Sequence, residues 1–433
     1  MPAPSTGSPS DHLEHRDALT GRPSRRRALG GALAAVIAAG LLASVAVIAV
    51  APRPRLPEPT GPYDVGTTTR TWSDSSRPEP FTSDPDDHRS VIAQIWYPAR
   101  PAPDAPTAPY MNRGTAVGLA DVLGVPAALL TRVPGATTHA HPDASAADGR
   151  FPVLIHLSGF QSFRGEAQAW FEDLASHGYV VISLDQPGTA ARTILPSGDA
   201  VTAISRDELG PLMPESVTED DPAPVVNGEE LPGGIVPFLA RDARFALDRA
   251  EALDAGDGPL AGHLATDRAG VFGLSLGGYT APETCRQDTR FRACLEADAG
   301  QTAPVATDGI EQPLMVMTRE ASSMRRERDR AGGWPEAEIR QTVTAQRGLF
   351  ANSTGPAWYL TLNDFHHLNW SDLPLWSPLF RWRGLAGPID PERGAALVTT
   401  WSRAFFDRTL KDEAAPLLDG PSDAWPEVGV ETR

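Results

Sequence analysis

The chain has 433 residues, enough for one large α/β domain with insertions or for two or three smaller ones, and 41% of them are apolar, so a sizeable core can form. A count of 38 basic against 55 acidic residues gives a net charge of -17, which disfavours a nucleic-acid partner or a broad anionic surface. The 42 prolines and 39 glycines gather outside the periodic segments and mark long loops.

Residues 1–27 read as a polar, turn-rich cytoplasmic tail, expected to be disordered. Arg25-Arg26-Arg27 then precedes an uncharged apolar run, Ala28 to Ala51. As a helix that run is long enough to cross a bilayer of about 30 Å, with its basic flank on the cytoplasmic side. Ser24-Arg25-Arg26-Arg27-Ala28-Leu29 partly resembles a twin-arginine signal, and Ala49-Val50-Ala51 offers a small-x-small cleavage site. Pro52 disfavours cleavage there, and the run is long for a signal core. The reading therefore favours an uncleaved signal anchor over a cleaved signal peptide. In either case the remainder lies outside the cytoplasm, membrane-anchored or secreted. A Pro-rich tether over 52–62 leads into one α/β domain, 63–433.

Within that domain, Gly66 to Trp72 and Ser90 to Pro98 are expected as strands. The Ala- and Pro-rich stretch from Ala99 to Gly149 reads as an insertion with a helix near Thr115 to Leu130. Phe151 to Leu157 and Tyr179 to Asp185 are continuous apolar strands of the kind buried on both faces, separated by a helix from Glu166 to Ser176. Strand, helix, strand at this spacing implies a right-handed crossover in a parallel sheet. Gln186 to Gly234 reads as a second insertion, with an acidic cluster from Glu215 to Asp221. Ile235 to Ala255 is an amphipathic helix. Val271 to Leu274 is a strand, Leu276 to Cys285 a helix, and Ala293–Ala297, Pro313–Thr318 and Ala357–Leu362 are further strands. A charged helical stretch covers Glu320 to Leu349, and a last helix runs from Glu392 to Thr409. Such sheets put ligands at the carboxyl ends of their strands.

The chemistry centres on Gly273-Leu274-Ser275-Leu276-Gly277. A Gly-x-Ser-x-Gly stretch is used where a strand turns sharply into a helix, so that the serine hydroxyl stands clear of the sheet. The helix that follows aims its free N–H groups at the site, which suits an oxyanion. A Gly/Ser-rich loop can match the pattern by chance, and a dinucleotide loop would need glycine where the serine stands. A serine hydroxyl requires a base, and the base a group to hold its tautomer. Downstream of Ser275 only His366 and His367 are available. The acid lies between Asp298 and Glu320, each after a strand, while Glu296 sits deeper and reads as structural. The oxyanion donors fall to the N–H of Leu276 and to the loop Ser158-Gly159-Phe160-Gln161, with Phe160 favoured. His156 beside it reads as a packing residue. Cys285 and Cys294 are the only cysteines; they form either a disulfide or two buried thiols, without the spacing of a metal site.

These residues resemble the platelet-activating factor acetylhydrolase family of the plasma and intracellular type II kind, in the α/β-hydrolase superfamily. The likeness is carried by Ile95-Trp96-Tyr97-Pro98-Ala99, by Phe151 to Phe160, and by Asp173-Leu174-Ala175-Ser176-His177-Gly178-Tyr179-Val180-Val181. The elbow, Arg290-Phe291 before Asp298, and His367 spaced to Trp370 and Asp372 complete it. Two departures stand out: Leu157-Ser158-Gly159 replaces the family's usual Ser-His-Gly, and Leu274 precedes the serine. The resemblance implies an α/β-hydrolase fold with insertions near the active-site mouth. It implies Ser275 as nucleophile, Asp298 as acid and His367 as base, with no metal or organic cofactor. The expected activity is hydrolysis of short acyl esters, with sn-2 acetyl or oxidised acyl groups of phospholipids as substrate. Polyesters, cutin-like esters or peptides would suit the same triad, and a hydrolase-fold binding protein without turnover is a further alternative.

Overall fold

The computed structural model describes residues 53–219 and 222–433. The apolar run 28–51 lies outside them, as do Asp220 and Asp221. Among the described residues no helix is long and apolar enough to cross a membrane.

The strands of the main sheet are β1 (Asp64–Pro78), β2 (His88–Arg100), β3 (Phe151–Leu157), β4 (Val180–Asp185), β5 (Leu264–Leu274), β6 (Phe291–Ala297), β7 (Leu314–Thr318), β8 (Ala357–Leu362) and β9 (Val428–Thr432). Their spatial order is β9-β8-β7-β6-β5-β3-β4-β2-β1, with Ala140–Pro142 on the outer edge of β1 and Ser145–Ala146 on β2. From β4 to β8 every pairing is parallel; β2 runs antiparallel to both β4 and β1, β9 runs antiparallel to β8, and Ala140–Pro142 lies parallel to β1. The α-helices of six residues or more among the described residues are α1 (Arg113–Leu123), α2 (Gln168–Ser176), α3 (Ile235–Asp254), α4 (Leu276–Gln287), α5 (Ala303–Asp308), α6 (Ala321–Ala331), α7 (Glu336–Asn352) and α8 (Pro391–Leu410).

The central strands read as near-continuous apolar runs because both faces are covered. One face is packed by α2 and α8 through Trp170, Phe171, Trp401, Phe405 and Phe406. The other is packed by α3, α4 and α7 through Ala243, Leu247, Ala281 and Leu349. Each fully buried large side chain of this kind contributes roughly 2–3 kcal/mol of transfer free energy.

The sequence misplaces several boundaries for identifiable reasons. β5 begins seven residues before the expected Val271, because a bulge between Ala265 and Ala269 places Asp267 and Arg268 inside it. The helix expected to reach Leu130 stops at Leu123: Gly124 takes φ 63, and Pro126 cannot continue it. β9 was hidden by the glycine and glutamate that break its apolar alternation. The tether does not hang free. Thr60 donates its N–H and hydroxyl to Asp173, both at 2.8 Å, the Gly61 N–H donates to Ser176 Oγ, and Leu56 is buried. The stretch read as a second insertion holds two small hairpins, Arg192–Ile194 with Ala200–Thr202 and Val225–Val226 with Glu229–Glu230. Cys285, at the end of α4, is disulfide-bonded to Cys294 on β6, their Cα atoms 6.6 Å apart.

Candidate active site

Sheet register brings the candidate residues to one edge. Leu274 pairs with Ala297, Ala297 with Met317 and Met317 with Leu360, so Ser275, Asp298 and Thr318-Arg319 leave adjacent strands at the same level. His367 follows five residues after β8 ends. The Ser275 N–H donates to Ala297 O at 3.0 Å, and the Asp298 N–H to Met317 O at 2.9 Å, which ties the turns to one another.

At the elbow Ser275 has φ 57 and ψ -118, a conformation costly for a side chain with Cβ. It persists because its surroundings leave no alternative. A Cβ on Gly273 would lie 2.3 Å from Gly277 C, and one on Gly277 would lie 1.8 Å from Leu157 O. Strand β3 and helix α4 can approach this closely only through glycine. The serine stands half-buried, and its hydroxyl makes no hydrogen bond among the described residues.

Asp298, also left-handed at φ 47, accepts from His367 Nδ1–H through Oδ2 at 2.6 Å. Its other partner is Arg319, whose Nε lies 3.0 and 2.9 Å from Oδ1 and Oδ2. Burial pushes the Asp298 carboxyl up, but Arg319 and the His367 hydrogen bond outweigh it and hold it below the usual range. It therefore stays ionised at neutral pH. His367 Nε2 carries no hydrogen bond among the described residues. The imidazole is thus oriented by its Nδ1 side, while Nε2 and the Ser275 hydroxyl are both unengaged.

The remaining histidine and the remaining acid take other roles. His366 is buried and places Nδ1 2.7 Å from Gly384 O, with burial lowering its pKa. Glu320 is exposed and accepts from Ser322 Oγ. Glu296 is buried, accepts the Ala299 N–H at 2.6 Å and is pushed well up by burial, as a structural residue should be. His156 packs against Phe171 and Phe272, 4.5 and 4.8 Å between centroids, and burial lowers its pKa to about 3.

Around the expected oxyanion donors, the loop after β3 is pinned on both sides of Phe160. The Gly159 N–H donates to Glu166 Oε1 at 2.9 Å, the Gln161 N–H donates to Thr189 O at 2.7 Å, and Ser158 Oγ donates to Leu184 O. Between them the Phe160 N–H has no acceptor among the described residues, and neither does the Leu276 N–H at the start of α4. Phe160, Leu276 and Tyr279 border an apolar cluster with Leu212, Leu231 and Phe238, supplied by the second insertion and α3.

Three residues of this site escaped the sequence reading. Arg319 and Glu327 surround the Asp298–His367 pair, and Glu166 holds the Gly159 loop. A charged residue closing the apolar strand Leu314–Thr318 was the available signal for Arg319; nothing in the local pattern marks the other two. A cavity of about 430 Å³ lined by Arg70, Tyr110, Asn112 and Arg164 touches none of the candidate residues. Arg164 is already paired with Asp185, and Asn112 caps α1.

The model for platelet-activating factor acetylhydrolase, isoform II, matches residues 48–203, ending before Ser275. Platelet-activating factor acetylhydrolases of Canis lupus familiaris and Cavia porcellus are 24% identical over 286 residues and 26% identical over 278. Each alignment covers 61% of this chain and 60% of the relative. The chain is thus similar in sequence to the platelet-activating factor acetylhydrolases. Its match spans only about 60% of the length of those relatives. Among solved structures, a ferulic acid esterase from Streptomyces cinnamoneus superposes with a TM-score of 0.66 at 27% identity, over 88% of this chain and 99% of that one. The mostly parallel central sheet with flanking helices is like the α/β fold of that esterase.

Proposed function

We propose that this chain is a serine esterase working through an acyl-enzyme. Ser275 Oγ attacks the ester carbonyl carbon while His367 Nε2 takes its proton. The tetrahedral oxyanion sits between the N–H groups of Phe160 and Leu276. Collapse breaks the C–O bond to the alcohol, which receives the proton from His367. Water then repeats the sequence and releases the acid. Asp298 fixes the imidazole tautomer and stabilises its charged form. The observation that carries this reading is the 2.6 Å contact of His367 Nδ1 with Asp298 at the sheet edge where Ser275 turns at φ 57.

Ser275→Ala should abolish p-nitrophenyl acetate hydrolysis and fluorophosphonate labelling without unfolding the protein. Undiminished turnover would overturn the scheme, and a wild-type protein that the probe does not label would favour a binding role instead. For the substrate, the family resemblance favours short acyl groups, including the sn-2 acetyl of an ether phospholipid. The similarity to a ferulic acid esterase favours a second reading, an aryl-acyl ester, and the apolar cluster beside Phe160 and Leu276 suits either. A panel of 2-acetyl glycerophosphocholines, methyl ferulate and p-nitrophenyl esters of rising chain length separates them. Export of the domain fits the apolar run after Arg27 and the Cys285–Cys294 disulfide.

A further inference from the structure

After β7, the strand end that offered Glu320 as a candidate acid, the chain places a cation. The Arg319 side chain is fully buried. Its Nε straddles both Asp298 oxygens, and its Nη1 reaches Glu327 on α6. That same Glu327 Oε2 accepts the backbone N–H of His367 at 3.1 Å. Trp334 closes the arrangement: its ring centre lies 4.8 Å from the guanidinium carbon and 5.2 Å from the His367 ring. One guanidinium is thereby linked to the carboxylate that orients the base, and through Glu327 to the base's own backbone.

We propose that Arg319 is a positioning residue of the esterase reaction, clamping Asp298 as an ionised acceptor and, through Glu327, fixing where His367 stands. The inference rests on the triad roles assigned above. A carboxylate in so dry a place loses its hydration and is kept charged only by a compensating partner. The other titratable groups facing Asp298 do not supply that partner. Glu296 beneath it and Tyr359 on β8 carry no positive charge, and His367 must remain neutral to accept the serine proton. The Nε–H is shared between both carboxylate oxygens while Nη1 of the same rigid guanidinium is held by Glu327, two anchors in one plane that a lone ammonium does not offer.

The test is kcat/KM against pH on p-nitrophenyl acetate for the full chain, with Arg319→Gln, Arg319→Lys and Glu327→Gln, each checked for folding by circular dichroism. Arg319→Gln should lower the plateau at least tenfold and move the acid limb upward by a pH unit or more, since the coupled Asp298–His367 pair takes up a proton more readily once the guanidinium charge beside it is gone. Arg319→Lys should return the acid limb toward wild type while leaving the plateau low. Glu327→Gln should lower kcat more than it changes KM, with the acid limb in place. A downfield proton resonance from His367 Nδ1–H, assigned by its loss in His367→Gln, should weaken in Arg319→Gln at a pH where wild type retains it. An acid limb unmoved in Arg319→Gln overturns the clamp. If that variant does not fold, a wild-type profile in Arg319→Lys or unchanged kcat in Glu327→Gln does the same. Either failure, with Ser275→Ala inactive, leaves the triad scheme standing; an active Ser275→Ala removes that scheme first.

Discussion

Gly277→Ala tests the contact that shapes the elbow. The added Cβ would lie 1.8 Å from Leu157 O and 2.5 Å from Leu157 C, whereas real Cβ contacts do not fall below 3.0 Å. Both obstructing atoms are backbone, so no rotamer change relieves them, and the end of β3 must separate from the first turn of α4 by more than an ångström. Overpacking of this kind costs roughly 1–3 kcal/mol and sometimes more. The displacement also falls on the two elements that carry Phe160 and Leu276. With the oxyanion roles proposed for their N–H groups, a shift of about 1 Å lowers rate by about 10²-fold, chiefly in kcat. Turnover of p-nitrophenyl acetate and urea unfolding midpoints should therefore both fall in Gly277→Ala. The control is Gly210→Ala, where φ is -47 and nothing lies within 4 Å of the new atom, and neither quantity should change. Wild-type kcat and midpoint in Gly277→Ala would refute the packing argument.

Four further outcomes are expected. His367→Ala should lose turnover with little change in stability. His366→Ala should instead lower stability by roughly 1–3 kcal/mol, because it deprives the buried Gly384 carbonyl of its partner, and folded enzyme should still turn over. Burial lifts the Glu166 carboxyl to about 8, above its ordinary 4.5, so its neutral form stabilises the fold fully below about 4.5, and that contribution is lost as pH rises through 8. Glu166→Gln, neutral at every pH, should shed up to about 1 kcal/mol less stability per pH unit than wild type between pH 5 and 8, and parallel urea midpoints would contradict this. Wild type should show no free thiol when unfolded without reductant. Reduction of this short loop should cost roughly 2–3 kcal/mol, read as a lower thermal midpoint.

What the sequence makes legible follows from how local each signal is. The buried strands Phe151–Leu157 and Ala357–Leu362 occupy the expected residues because unbroken apolar runs admit few alternatives. Ser275 is legible because the elbow needs glycine at fixed offsets. The choice between His366 and His367 is not, since neighbouring residues share every local property and differ only in whether the side chain meets Gly384 or Asp298. Arg319 and Glu327 stay hidden for a related reason: their partners are 21 and 40 residues distant, and no spacing rule joins them.

The wall of Leu212, Leu231 and Phe238 comes from residues outside the strand tips that carry Ser275, Asp298 and His367. Two members of that wall, Leu212 and Leu231, belong to 186–234, while Phe238 belongs to α3. An exchange of 186–234 would therefore recast part of the wall and leave Ser275, Asp298 and His367 in place, with Thr189 the one position it must keep to hold the Gln161 N–H.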